Sequence, residues 1–130
     1  MHTRFLRFVV VALVALAAFA CGGVSNPSTN QTETFMAIVQ PGGSPGTHPF
    51  SASKSGEISV TVTSINPAFN GFLTVAWLGS GCSGVVQANQ FAVVGTAAIS
   101  GPIQKGSYCI GVFDSGFSVP EQYTVSISHP

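Results

Sequence analysis

The stretch Glu57-Ile58-Ser59-Val60-Thr61-Val62-Thr63 alternates strictly between apolar and polar side chains after its first residue. In an extended chain successive side chains point to opposite faces, so Ile58, Val60 and Val62 share one side and Ser59, Thr61 and Thr63 the other. A period of two does not fit an amphipathic helix and defines a half-buried strand with one wet face. Tyr123-Thr124-Val125-Ser126-Ile127-Ser128 repeats the pattern, with Tyr123, Val125 and Ile127 directed inward. From Phe35 onward no run of about ten residues carries helical spacing of its apolar positions.

The segments around these two are short strands punctuated by turn residues. Phe35 to Val39 is a first strand, ended by Pro41-Gly42-Gly43-Ser44-Pro45-Gly46. Phe50 to Ser53 is a second, followed by a Lys54-Ser55-Gly56 turn. Asn66-Pro67 and Asn70-Gly71 mark a loop, after which Phe72 to Leu78 is almost continuously apolar and holds the single tryptophan, Trp77. That composition predicts a central strand covered on both faces. Weaker strands flank Gly95, over Phe91–Val94 and Ala97–Ile99. In Tyr108 to Phe113, Tyr108, Ile110 and Val112 share a face, with Cys109 and Phe113 on the other. Seven or eight strands spaced by roughly ten residues predict a single-domain, all-β, antiparallel β-sandwich, without fixing the strand order.

The N-terminal part is of a different kind. Arg4 and Arg7 precede an apolar run of 12 residues, Phe8 to Phe19, and Ala18-Phe19-Ala20 supplies small residues where a signal peptidase cuts. The run is too short to span a bilayer as a stable helix and has the form of an export signal. The expected organisation is a signal peptide over 1–20, a head group and tether over 21–34, and the sandwich over 35–130. Gly22 to Thr34 is polar and aperiodic, a flexible spacer with a reach of roughly 20 Å.

Cys21, directly after the signal, resembles the lipid-modified cysteine of bacterial lipoproteins. That resemblance implies cleavage before Cys21 and a membrane partner reached through an N-terminal lipid. The competing reading is cleavage by the general signal peptidase and release of a soluble, secreted or periplasmic protein. Cysteine arithmetic favours the lipid, because Cys21, Cys82 and Cys109 are three and an exported chain with an odd cysteine leaves one to be explained. With Cys21 acylated, Cys82 and Cys109 remain as a pair, and in an oxidising compartment a disulfide is expected. A metal or redox pair would use closer cysteine spacing.

Charge narrows the function classes. Beyond residue 20 the cations are Lys54 and Lys105 and the acids Glu33, Glu57, Asp114 and Glu121, so the net charge is 2 − 4 = −2 with no arginine. Nucleic acid needs clustered Lys or Arg and is not an expected partner. Solubility falls to hydroxyls, since 25 of those 110 residues are Ser or Thr.

Catalytic chemistry finds little to work with. His48 and His129 each neighbour a proline, no Gly-x-Ser-x-Gly elbow occurs, and the acids fall mostly at strand starts or turns, where solvation accounts for them. No enzyme, cofactor or metal is expected. Asp114 and Glu121 are spaced by seven residues without an Asp-x-Asp pattern, so Asp114 is expected to cap a turn. Phe69, Phe72 and Phe117 lie near loops and, with Asp114, form the candidate ligand loops for a glycan or protein.

The run Lys105-Gly106-Ser107-Tyr108-Cys109-Ile110-Gly111-Val112-Phe113-Asp114, followed by Gln122-Tyr123-Thr124-Val125-Ser126-Ile127, resembles the end of bacterial pre-peptidase C-terminal domains. Phe50-Ser51 and Gly56-Glu57-Ile58-Ser59-Val60-Thr61-Val62 resemble the same family's early strands. The resemblance covers roughly residues 33 to 129. It implies a jelly-roll-like sandwich acting as a non-catalytic module, some of whose relatives bind collagen or carbohydrate. The chain departs from the family in carrying no protease domain and no acidic Asp-x-Asp segment. The expectation is therefore a non-enzymatic, envelope-anchored module with a loop-borne ligand, and the alternative a structural envelope component with no discrete ligand.

Overall fold

A computed structural model of the chain describes residues 29–42, 46–68, 73–113, 116 and 118–130. Eight strands occur in this order: β1 (Gln31–Val39), β2 (Gly46–Ala52), β3 (Gly56–Asn66), β4 (Leu73–Leu78), β5 (Val85–Ala92), β6 (Ala97–Ile103), β7 (Gly106–Phe113) and β8 (Glu121–His129). They form two four-stranded sheets, β1-β8-β3-β6 and β2-β7-β4-β5, and every pair is antiparallel. Each connection except β4–β5 crosses from one sheet to the other. That is the arrangement of a jelly-roll sandwich.

Alternation decides which side chains meet between the sheets. Ile58, Val60 and Val62 from β3 and Tyr123, Val125 and Ile127 from β8 are buried, as their period requires. Leu73, Val75 and Trp77 from β4 and Ile110 and Val112 from β7 face them from the other sheet, in one continuous core. The outer face of β4 is covered as well. Ala76 and Leu78 pack with Cys109, Cys82 and Phe113 in a second, smaller apolar cluster. The nearly unbroken apolar run of β4 is thus explained by burial on both faces.

Most strands run longer than the sequence reading gave them, and three differ by more than their ends. The first strand begins at Gln31 and takes in the last four residues expected in the tether, because Gln31 to Thr34 pair with Ser126 to His129 although all four side chains are polar. β2 begins at Gly46 rather than Phe50, and its polar Thr47 and His48 pair with Gly111 and Ile110. β5 occupies Val85–Ala92 rather than Phe91–Val94, with the chain from Val93 onward forming the turn before β6. Its pairing with β4 shifts register twice, so no clean period of two survives in Val85-Val86-Gln87-Ala88-Asn89-Gln90-Phe91-Ala92.

Tyr123 ties the sheets together. Its hydroxyl donates to the Gly46 carbonyl at 3.4 Å, and its ring meets Phe35 edge-on with centroids 6.2 Å apart. A Cβ at position 46 would stand 2.9 Å from that hydroxyl oxygen, which explains the glycine there. Burial raises the phenol above its ordinary value of 10.0. The unfolded chain therefore ionises first. The Tyr123 contribution to stability is complete below pH 10.0 and is lost as pH rises through the folded value. Denaturant unfolding at pH values on either side of this threshold is expected to show a plateau below it and a fall above it.

Candidate functional site

The four residues expected to form ligand loops, Phe69, Phe72, Asp114 and Phe117, lie outside the described residues, as does Cys21. The strand ends that flank the loops are described. Asn66 pairs with Gln122, beside Glu121, in one sheet, and Thr74 pairs with Phe113 in the other. The Tyr123–Gly46 contact joins these two levels, since Gly46 pairs with Val112. The ends of β3, β7 and β1 and the beginnings of β4, β8 and β2 thus share one end of the sandwich. Val93, Val94 and Val119 are exposed in segments joining strands at that end. Asn30 marks the opposite end, donating to the Glu57 carbonyl at 3.1 Å, and there the Ser53 amide donates to the Pro130 carbonyl at 2.9 Å.

A constellation that the sequence reading did not assemble lies at the edge where β1 faces β2. Parity along the strands puts Glu33 on the side of Phe35 and Val39, His48 on that of Phe50, and His129 on that of Ile127, so all three turn inward. His48 Nε2 lies 3.2 Å from Glu33 Oε2, and His129 Nε2 lies 3.1 Å from Oε1 of the same carboxylate. An ionised carboxylate only accepts, so each ring donates from Nε2. His48 stacks on Phe35 at 4.3 Å with planes 7° apart, and His129 packs against Phe50 at 5.0 Å. Solvation at strand starts therefore does not account for Glu33. Nor does it account for Glu121, whose side chain is buried with Oε2 unpartnered.

The chemistry of this cluster is that of a clasp. β1 and β8 belong to one sheet and β2 to the other, so Glu33 bonds both within its sheet and across the sandwich. Both Nε2 atoms are engaged by the carboxylate, and His129 Nδ1 lies 3.4 Å from the Pro130 carbonyl oxygen. Among the described residues, no group of three or more His, Cys, Asp and Glu side chains is placed to hold a metal ion. Glu33→Ala leaves the buried His129 without its acceptor, and denaturant unfolding is expected to show a loss of about 1–3 kcal/mol. Glu33→Gln, which keeps one acceptor, is expected to lose less.

Cys82 and Cys109 form the expected disulfide, with Cα atoms 5.1 Å apart. It pins the 3-10 turn over Ser80–Cys82 onto the outer face of β7. Such a bond belongs to an oxidising, extracytoplasmic compartment.

No protein-family model and no curated protein matches the chain. A solved structure described as Bacillus endospore appendages, a family of disulfide-linked pili, is similar over 85% of this chain and 95% of its own, at 8% identity and a TM-score of 0.32. A likeness at that level carries no argument about function.

Proposed function

We propose that the chain is a non-enzymatic β-sandwich module of the bacterial cell envelope, held to the membrane by a lipid on Cys21 and offering its far end to a glycan or protein. The observation that carries this reading is the direction of β1. Gln31 pairs with His129 at one end of the sandwich and Val39 with Glu121 at the other. A chain anchored at Cys21 enters beside Asn30, and the segments holding Phe69, Phe72, Asp114 and Phe117 attach at the opposite end. Anchor and ligand loops would then stand at opposite poles, the geometry a surface-displayed binding module needs. The net charge of −2 and the lack of arginine beyond residue 20 speak for a glycan or protein rather than a nucleic acid as the ligand.

Intact mass of the protein recovered from the membrane fraction tests the anchor. A chain beginning at Cys21 with a diacylglycerol-sized increment is the expected result, and an unmodified chain released into the soluble fraction would overturn it. Glycan-array and pull-down experiments test the ligand, with loss of capture on Phe117→Ala as the expected outcome.

A further inference from the structure

Four strands are sheet edges, β1 and β6 in one sheet and β2 and β5 in the other. A free edge offers a row of backbone donors and acceptors to any extended chain, so edges are commonly blunted by proline, bulges or charge. Pro49 takes a donor from β2, and Pro102 takes one from β6. The register of β5 shifts twice, which bends its edge. β1 carries no proline and no shift, its nine residues pairing one to one with Glu121–His129. Its one charge, Glu33, is engaged by the two histidines near the tether end, which leaves Phe35 to Val39 uncharged. Among the described residues, no strand pairs with the other side of β1.

These last five residues of β1 are apolar on both faces. Phe35 and Val39 turn inward, whereas Met36 and Ile38 stand on the wet face, 68% and 58% exposed. Elsewhere that face carries hydroxyls, from Ser59 and Thr61 on β3 and Thr124, Ser126 and Ser128 on β8. The segment also reads alike in both directions: about Ala37, Met36 mirrors Ile38 and Phe35 mirrors Val39. A strand with that symmetry is complementary to itself across a two-fold axis. Antiparallel pairing about Ala37 sets Met36 of each copy against Ile38 of the other, and Phe35 against Val39.

We infer that the Phe35–Val39 edge of β1 binds a second copy of this chain, the two strands pairing antiparallel about a two-fold axis at Ala37. The inference deepens the envelope-module reading by making the protein partner the same chain, though the pairing itself needs no anchor. β1 runs from the tether end to the loop end, so pairing over its last five residues brings the two loop ends together. The tether ends then point away from each other, with the two Gln31 residues roughly 40 Å apart. Copies standing side by side on one membrane run the same way and are excluded from this contact. Copies held on facing surfaces meet in it. The contact is smaller than a standard interface, so the pair is weak in solution, with a midpoint on the order of 100 μM. Many copies between two surfaces add their contacts.

The test is sedimentation velocity of the exported chain carrying Cys21→Ser, which removes both the lipid and the thiol that could join two copies. A monomer at about 1 μM is expected to pass to a dimer by about 1 mM. Met36→Glu and Ile38→Lys, each alone, are expected to weaken pairing about tenfold or more, since each sets a charge against an apolar partner. Their equimolar mixture is expected to pair again, because one Glu then meets one Lys across the axis. Both positions are exposed, so the melting temperature is expected to stay near the parent's. A chain that stays monomeric at about 1 mM, or a dimer that both variants keep, would overturn the pairing. Capture of a glycan or a foreign protein by that chain would still leave the binding-module reading standing. Vesicles of phosphatidylethanolamine and phosphatidylglycerol bearing the lipidated chain are expected to cluster, and those bearing Ile38→Lys to stay dispersed. Pairing in solution without clustering would overturn the facing-surface arrangement. A chain recovered without lipid would overturn the anchor and leave the pairing to the sedimentation result.

Discussion

Replacing Cys82 and Cys109 together by alanine is expected to lower stability by about 3.6 kcal/mol. The figure follows from the 27-residue separation of the two cysteines and the entropy the bond removes from the unfolded chain. For a domain of this size that corresponds to a fall in melting temperature of roughly 15–25 °C. The bond also lies over the second apolar cluster, where Cys109 packs with Ala76 and Leu78. Losing it frees the 3-10 turn and uncovers the outer face of β4. Denaturant titration with and without reductant, beside the double variant, measures the effect. A loss below about 1 kcal/mol would show that the second cluster closes without the bond and that chain entropy is the wrong account.

Truncating Trp77 to alanine is expected to cost about 3–5 kcal/mol, the range for deleting a large aromatic side chain from a core. Trp77 is 5% exposed, pairs across β4–β7 with Ile110, and meets the Tyr108 ring at 5.4 Å. Its indole Nε1 is buried without an acceptor. Trp77→Phe gives up part of the apolar contact and also removes an orphaned donor whose burial costs about 1–3 kcal/mol. The phenylalanine variant is therefore expected to stay within about 1.5 kcal/mol of the parent. Equal losses for Phe and Ala in denaturant unfolding would mean that the indole N–H finds a partner in solution.

The sandwich was legible wherever one face of a strand meets the core and the other meets water. Ile58-Val60-Val62 and Tyr123-Val125-Ile127 announce their own orientation. β5 was not legible, since its register shifts break the alternation and its exposed Val85 and Val86 mimic a buried run. The Glu33–His48–His129 clasp left a fainter trace. Each residue shares parity with the buried positions of its strand, but the separations of 15 and 96 residues hide their meeting until the strand order is known.

The place of β8 in its sheet has a consequence in time. β1 has one ladder partner, β8, and β3 needs β8 on one flank, so the strand made after the other seven holds the sheet together. As the chain is synthesised or exported, β1 emerges first and waits with its backbone unpaired until Glu121–His129 arrives. Such late, long-range closure makes folding slow and leaves little native structure to a chain cut short before β8. The molecule is assembled from its two ends, and the middle cannot finish without them.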